Sequence, residues 1–178
     1  MRDEQIKAEA NRLKKKFDTE DLYEICEDLK IAVFETPMGV HDGSCKGFFI
    51  LNARQKLIAL NSDLPEQVRR IILAHELGHA VLTCNEICAF HDFTVLSDTD
   101  SREYEANVFA SEFLLEDGAV LAAVREEQDF FRIAQRFRVP PEMLDFKLRL
   151  LKREGHKIEA PYIAKSTFLK RNMQKPMN

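Results

Sequence analysis

The segment His75-Glu76-Leu77-Gly78-His79 constrains this chain more than any other. On a helix, residues four apart stand one above the other, so both imidazoles can reach a single metal ion. The glutamate beside the first histidine is placed to work on a metal-bound water rather than to ligate. The surrounding helix begins after Asn61-Ser62-Asp63, with Pro65 and Glu66 in its first turn, and runs through Val68, Ile71, Ile72 and Leu73 to Ala80-Val81-Leu82. Caps, proline and acid of this kind mark a helix start. Past Arg70 the pattern is apolar nearly all round, which predicts burial on most sides. Three ionisable side chains there are costly without partners, and one metal ion would satisfy them together.

A catalytic zinc commonly takes three protein ligands and leaves a position for water. The sequence offers a third ligand on a helix running from Ser101 to about Leu115, capped by Asp98-Thr99-Asp100-Ser101. Its apolar stripe is Ala106, Phe109, Ala110, Phe113 and Leu114. At about 100° per residue, Glu103 falls about 60° from the stripe centre and Glu105 about 100° from it on the far side. Glu103 is therefore the expected ligand, with Glu105 in reserve. Asn107, one turn on from Glu103, is placed to brace a ligand. Tyr104, His91, His41 and Tyr23 are all candidates for stabilising an oxyanion, and the sequence does not choose among them.

The rest of the chain reads as a frame for this pair of helices. Residues 3–17 show Ile6, Ala10, Leu13 and Phe17 at helical spacing; Asp18-Thr19 offers a break and a cap; Leu22, Ile25, Cys26 and Leu29 predict a second helix. Ile31 to Phe34, Gly47 to Leu51 and Leu57 to Leu60 predict three strands, the last two joined by a hairpin at 52–55. Residues 83–100 read as loop. A helical pattern over 118–138 stops at Val139-Pro140-Pro141, and Met143, Leu144, Leu148 and Leu151 mark a last helix ending near Gly155.

No apolar run approaches the ~20 residues of a membrane span, and the charged start lacks a signal peptide's apolar stretch, so a cytoplasmic protein is expected. Cys26, Cys45, Cys84 and Cys88 show no disulfide-framework spacing. Cys84 and Cys88, with His91 near them, read as core or loop residues rather than a second metal cluster. The net charge of −4 hides an asymmetry: residues 125–178 carry 13 Lys/Arg against 7 Asp/Glu, a net of +6. That basic third reads as a solvated helix face, with contact to DNA or to a DNA-bound protein as the other reading.

The motif His75-Glu76-Leu77-Gly78-His79, the run Glu103-Tyr104-Glu105-Ala106-Asn107-Val108-Phe109-Ala110, Leu114-Leu115 and the closing Ile133-Ala134-Gln135-Arg136-Phe137-Arg138-Val139 together resemble the ImmA/IrrE family of metallopeptidases. The resemblance covers roughly residues 18 to 151. It implies a zinc-dependent, gluzincin-like endopeptidase that cleaves a helix-turn-helix repressor, often on phages or mobile elements. Carried over by position, His75, His79 and Glu103 hold Zn2+ and Glu76 is the general base. Glu116 stands where the family commonly has a proline soon after the Leu-Leu pair. The expected architecture is α+β: a mostly helical, zincin-like core with a small three-stranded sheet and a C-terminal helical segment. Residues 1–117 form the metallopeptidase-like domain, 118–158 a C-terminal helical region, and 159–178 a tail. The other functional class is a metal-stabilised regulatory protein that docks to a repressor or to DNA without proteolysis.

Overall fold

A computed structural model describes residues 3–52, 55–82, 89–91 (backbone only), 101–127 and 129–158. Helix α1 (Asp3–Phe17) buries Ile6, Ala10 and Leu13, and α2 (Leu22–Asp28) buries Leu22, Ile25 and Cys26. The cap of α2 is Asp21, whose side chain accepts from the Tyr23 amide, and not the expected Asp18-Thr19. Asp18 instead turns the chain at φ 52°, and the Thr19 hydroxyl accepts from the Asp21 amide.

Strands β1 (Ile31–Thr36), β2 (Gly47–Asn52) and β3 (Gln55–Asn61) follow, with β1 parallel to β3 and β2 antiparallel to it. The hairpin pairs Asn52 with Gln55. The α+β class and the three anticipated strands are present. A fourth short strand, β4 (Ala89–His91), adds to β2 and gives the order β1-β3-β2-β4. It lies within the stretch read as loop, where three residues are too few for a period to register.

Helix α3 (Glu66–Leu82) crosses the sheet over β2 and β3, and α4 (Ser101–Leu114) packs on its far side. Gly47 is required at the first of these contacts, because a Cβ there would lie 2.6 Å from Ile72 Cγ2 and 3.0 Å from the Ala59 carbonyl. Asn61, expected to help cap α3, does other work. Its Oδ1 accepts from the Met38 and Asp63 amides, and its Nδ2 donates to the Gly39 and Cys45 carbonyls. A fully buried amide with four partners thus ties the loop after β1 to the end of β3.

The helical pattern over 118–138 is two helices, α5 (Asp117–Glu126) and α6 (Phe130–Phe137). Asp129 interrupts it, accepting from the Phe131 and Arg132 amides as a cap. Glu116 caps α5 through the Gly118 and Ala119 amides. Helix α7 (Pro141–Arg153) starts on Pro141, whose missing N–H costs nothing in a first turn. One hydrophobic core runs from Ile6 on α1 through α3 and α4 to Leu151 on α7. No helix among the described residues is long and apolar enough to cross a membrane.

The basic C-terminal third is not simply a wet face. Lys147 is wholly buried, 2.7 Å from Glu112 Oε2 on α4 and 2.5 Å from Asp117 Oδ1 on α5. Lys7 on α1 reaches the same Asp117 at 2.5 Å and Glu154 at 2.7 Å. Four helices are pinned by this chain of charges, buried at Lys147 and Glu112 and open to water at Lys7, Asp117 and Glu154. Burial pushes the Glu112 carboxyl above the usual carboxylate range despite Lys147 beside it.

A candidate metal centre between two packed helices

His75, Glu76 and His79 occupy the middle of α3 and are 0, 0 and 1% exposed. Around the helix axis Glu76 stands about 100° from His75 and about 60° from His79, so the three share one broad face. Gly78 sets the distance from that face to α4. A Cβ on it would lie 3.1 Å from Ala106 Cα and 3.2 Å from Phe109 Cβ, closer than carbons normally pack. The bare glycine therefore lets α4 approach, and the approach brings Glu103, three residues before Ala106, to the histidines.

Glu103 Oε2 lies 3.2 Å from His75 Nε2, and Oε1 lies 3.3 Å from His79 Nε2. The two Nε2 atoms are 3.1 Å apart. His75, His79 and Glu103 form a group that could hold a metal ion. Glu105, the reserve, is not in it. On the other side of His75, Nδ1 lies 2.9 Å from Asn107 Oδ1. An amide oxygen accepts, so Nδ1 carries the proton and the Nε2 lone pair faces Glu103 and His79.

The donor set fits a metal ion. Two imidazole nitrogens with inward lone pairs 3.1 Å apart repel one another unless a proton or a cation stands between them. A tetrahedral ion with bonds of about 2.1 Å separates its ligand atoms by about 3.4 Å, close to all three separations here. Burial opposes ionisation of Glu103, and a positive charge shared with His75 and His79, as a proton on either ring, is what holds the carboxyl well below the usual range. An anionic carboxylate is the form that ligates.

The oxyanion candidates separate. The Tyr23 hydroxyl donates to Glu35 at 2.6 Å, and burial with that carboxylate pushes the phenol up to about 12. The Tyr104 hydroxyl donates to Asp3 and accepts from Arg153. His41 is exposed in the loop after β1. The His91 side chain, Cys84, Cys88, the cap residues before Ser101 and the tail from Glu159 lie outside the described residues. Sequence reasoning passed over Gly78 in this site. Its signal was available: a glycine inside a helix costs about 1 kcal/mol against alanine and calls for a packing reason.

A buried His-Glu-x-x-His helix, paired through a glycine contact with a helix that supplies a carboxylate, defines a metallopeptidase-type scaffold. The chain belongs to the IrrE N-terminal-like domain family, peptidase family M78, whose profile matches residues 26–149. It is 36% identical over 142 residues to "Uncharacterized immunity region protein 2" of Bacillus phage phi105, covering 80% of this chain and 88% of that one. It is 33% identical over 147 residues to "Metallopeptidase ImmA" of Bacillus subtilis (strain 168), covering 80% and 83%.

Proposed function

We propose that this chain is a zinc-dependent endopeptidase that cleaves a helix-turn-helix repressor and so relieves repression. The observation that carries the reading is the His75, His79 and Glu103 cluster, with wholly buried Glu76 on the same helix face. Two imidazoles and one carboxylate are the donor set of catalytic zinc sites that keep a position for water. A zinc ion held by His75, His79 and Glu103 would supply Lewis-acid chemistry to a water and to the scissile carbonyl. The Glu76 carboxylate would accept the proton of the attacking water and return it to the leaving amine. Asn107 holds the His75 ring in the tautomer that ligates. A repressor as substrate is supported by the immunity-region relative of phage phi105 and by the metallopeptidase name of the Bacillus subtilis relative.

The test is incubation of the purified chain with the repressor encoded nearest its gene, with and without chelator. Cleavage is expected only with metal. Glu76→Gln should keep one equivalent of zinc and lose cleavage; a Glu76→Gln chain that relieves repression fully sinks the protease reading in favour of docking alone. Direct duplex binding through the C-terminal third is the less favoured reading, because many of its cations have partners within the chain.

A further inference from the structure

Residue 104, next after the proposed ligand Glu103, begins a second feature. Tyr104 and Phe146 meet edge to face with ring centroids 5.9 Å apart and floor a groove of about 470 Å³ walled by Arg149, Lys152 and Arg153 of α7. The Arg149 guanidinium lies 5.6 Å above the Phe146 ring and that of Arg153 lies 5.7 Å above Tyr104. Stacking of this kind fixes a guanidinium while leaving its edge open to accept a planar anion.

The charges in this groove are unequally committed. Arg153 is held by Asp3 at 3.2 Å and by the Tyr104 hydroxyl. Arg149 uses Nε toward Asp145, at 3.3 Å, and its Nη groups have no partner among the described residues. Lys152 is exposed and has no ion-pair partner among the described residues. Three cations against Asp3 and Asp145 leave a local net of about +1, with two donors to spare. Duplex DNA binds by neutralising several phosphates at once, and acids beside the groove oppose a dense polyanion. One carboxylate next to an apolar side chain suits both the spare donors and the aromatic floor.

We propose that this groove is an exosite that docks an acidic-apolar segment of the protein substrate at a distance from the scissile bond. The assignment of the occupant as substrate rests on the peptidase reading above. A protein substrate held at a second place brings its scissile bond to the metal centre at raised effective concentration.

The test is fluorescence anisotropy of a short labelled peptide alternating Asp or Glu with Leu or Phe, added to the full chain at low salt. Binding is expected, with Arg149→Gln/Lys152→Gln weakening it about tenfold, the loss of one or two exposed charge-assisted hydrogen bonds. Lys152→Gln alone should leave the melting temperature unmoved, since its side chain is exposed and outside any ion pair among the described residues, and Lys152→Arg should bind as wild type does. The double variant also removes the cation beside buried Asp145, so its binding is read well below its own melting temperature. Equal binding by the double variant, or by a peptide with Lys in place of the acids, overturns the proposal. So does a short DNA duplex that displaces the peptide and shows the same sensitivity to the double variant. The Glu76→Gln chain separates the two readings, since it should bind the peptide normally. If wild type cleaves no repressor but the peptide result holds, the peptidase reading falls and the acidic-peptide groove stands. If cleavage occurs and the peptide does not bind, the groove alone falls.

Discussion

Gly78→Ala tests whether the contact between α3 and α4 sets the spacing of the ligands. The added Cβ would stand 3.1 Å from Ala106 Cα and 3.2 Å from Phe109 Cβ and Cδ1. Carbon contacts are most favourable near ~3.5–4.0 Å, so α4 has to withdraw by about 0.5 Å. Two stability terms then oppose each other. Alanine in place of a helical glycine gains about 1 kcal/mol, and overpacking a tight contact costs about 1–3 kcal/mol. The metal-free variant should therefore range from unchanged to about 2 kcal/mol less stable. The metal site has less tolerance. Glu103 is carried by the first turn of α4 and moves with it, and ligand distances in working sites hold to about ±0.2 Å. A shift of about 0.5 Å exceeds that, so zinc affinity should fall about 10–100-fold, the range seen when groups that support ligands are lost. Competition against a chromophoric chelator measures affinity, and urea unfolding of the metal-free chain measures stability. A folded Gly78→Ala chain that binds zinc as tightly as wild type refutes the argument.

Asn107→Ala should lower zinc affinity about 10–100-fold in the same competition assay, while Asn107→Asp, which keeps an acceptor for His75 Nδ1–H, should retain most of it. Lys147→Met should destabilise the chain by about 3–5 kcal/mol at pH 7, because it strands Glu112 in the interior. That deficit should shrink as pH falls. The folded pKa of Glu112 already lies above its unfolded value, and loss of Lys147 raises it further. The folded variant then binds a proton that the unfolded chain does not, so its stability rises as pH drops through the folded pKa. Urea unfolding at pH 7 and pH 5 checks this, and a deficit that grows on acidification contradicts it.

The elements legible in the sequence were those with a long apolar period or a local turn signal. Helices α1 and α3 and the β2–β3 hairpin fall in that group, each with several residues repeating one pattern. What escaped was decided by single polar side chains. Asp129 splits a run whose two halves both look helical, so a pattern read over 118–138 passes straight through it. Asp21 rather than Asp18 caps α2, because neighbouring acids look equivalent until the backbone chooses one. Asn61 looks like a helix cap from its position and is a four-bonded cross-link between distant segments, a role that no local rule encodes.

The site shows the same division. The helical spacing of His75 and His79 places them together, and the apolar stripe of α4 points Glu103 inward, both from local geometry. The 3.2 and 3.3 Å separations from Glu103 depend on how closely two helices pack, and Gly78 governs that without any chemistry of its own. Charge counting was the weakest guide. A net of +6 over the C-terminal third suggests a free cationic face, yet Arg136 faces Glu126, Arg149 faces Asp145, Arg153 faces Asp3 and Lys147 is buried between Glu112 and Asp117. Cations paired in this way release few counterions on meeting DNA, so they supply little of the salt-dependent affinity that a net charge suggests. Among the described residues Arg125, Arg138, Lys152, Lys157 and the outer edge of Arg149 stay outside these ion pairs, and of them Lys152 and Arg149 lie beside two aromatic rings, one of them Tyr104, the next residue along α4 after Glu103. Two donors at such a place suit the recognition of a single acidic side chain far better than the grip of a polyanion.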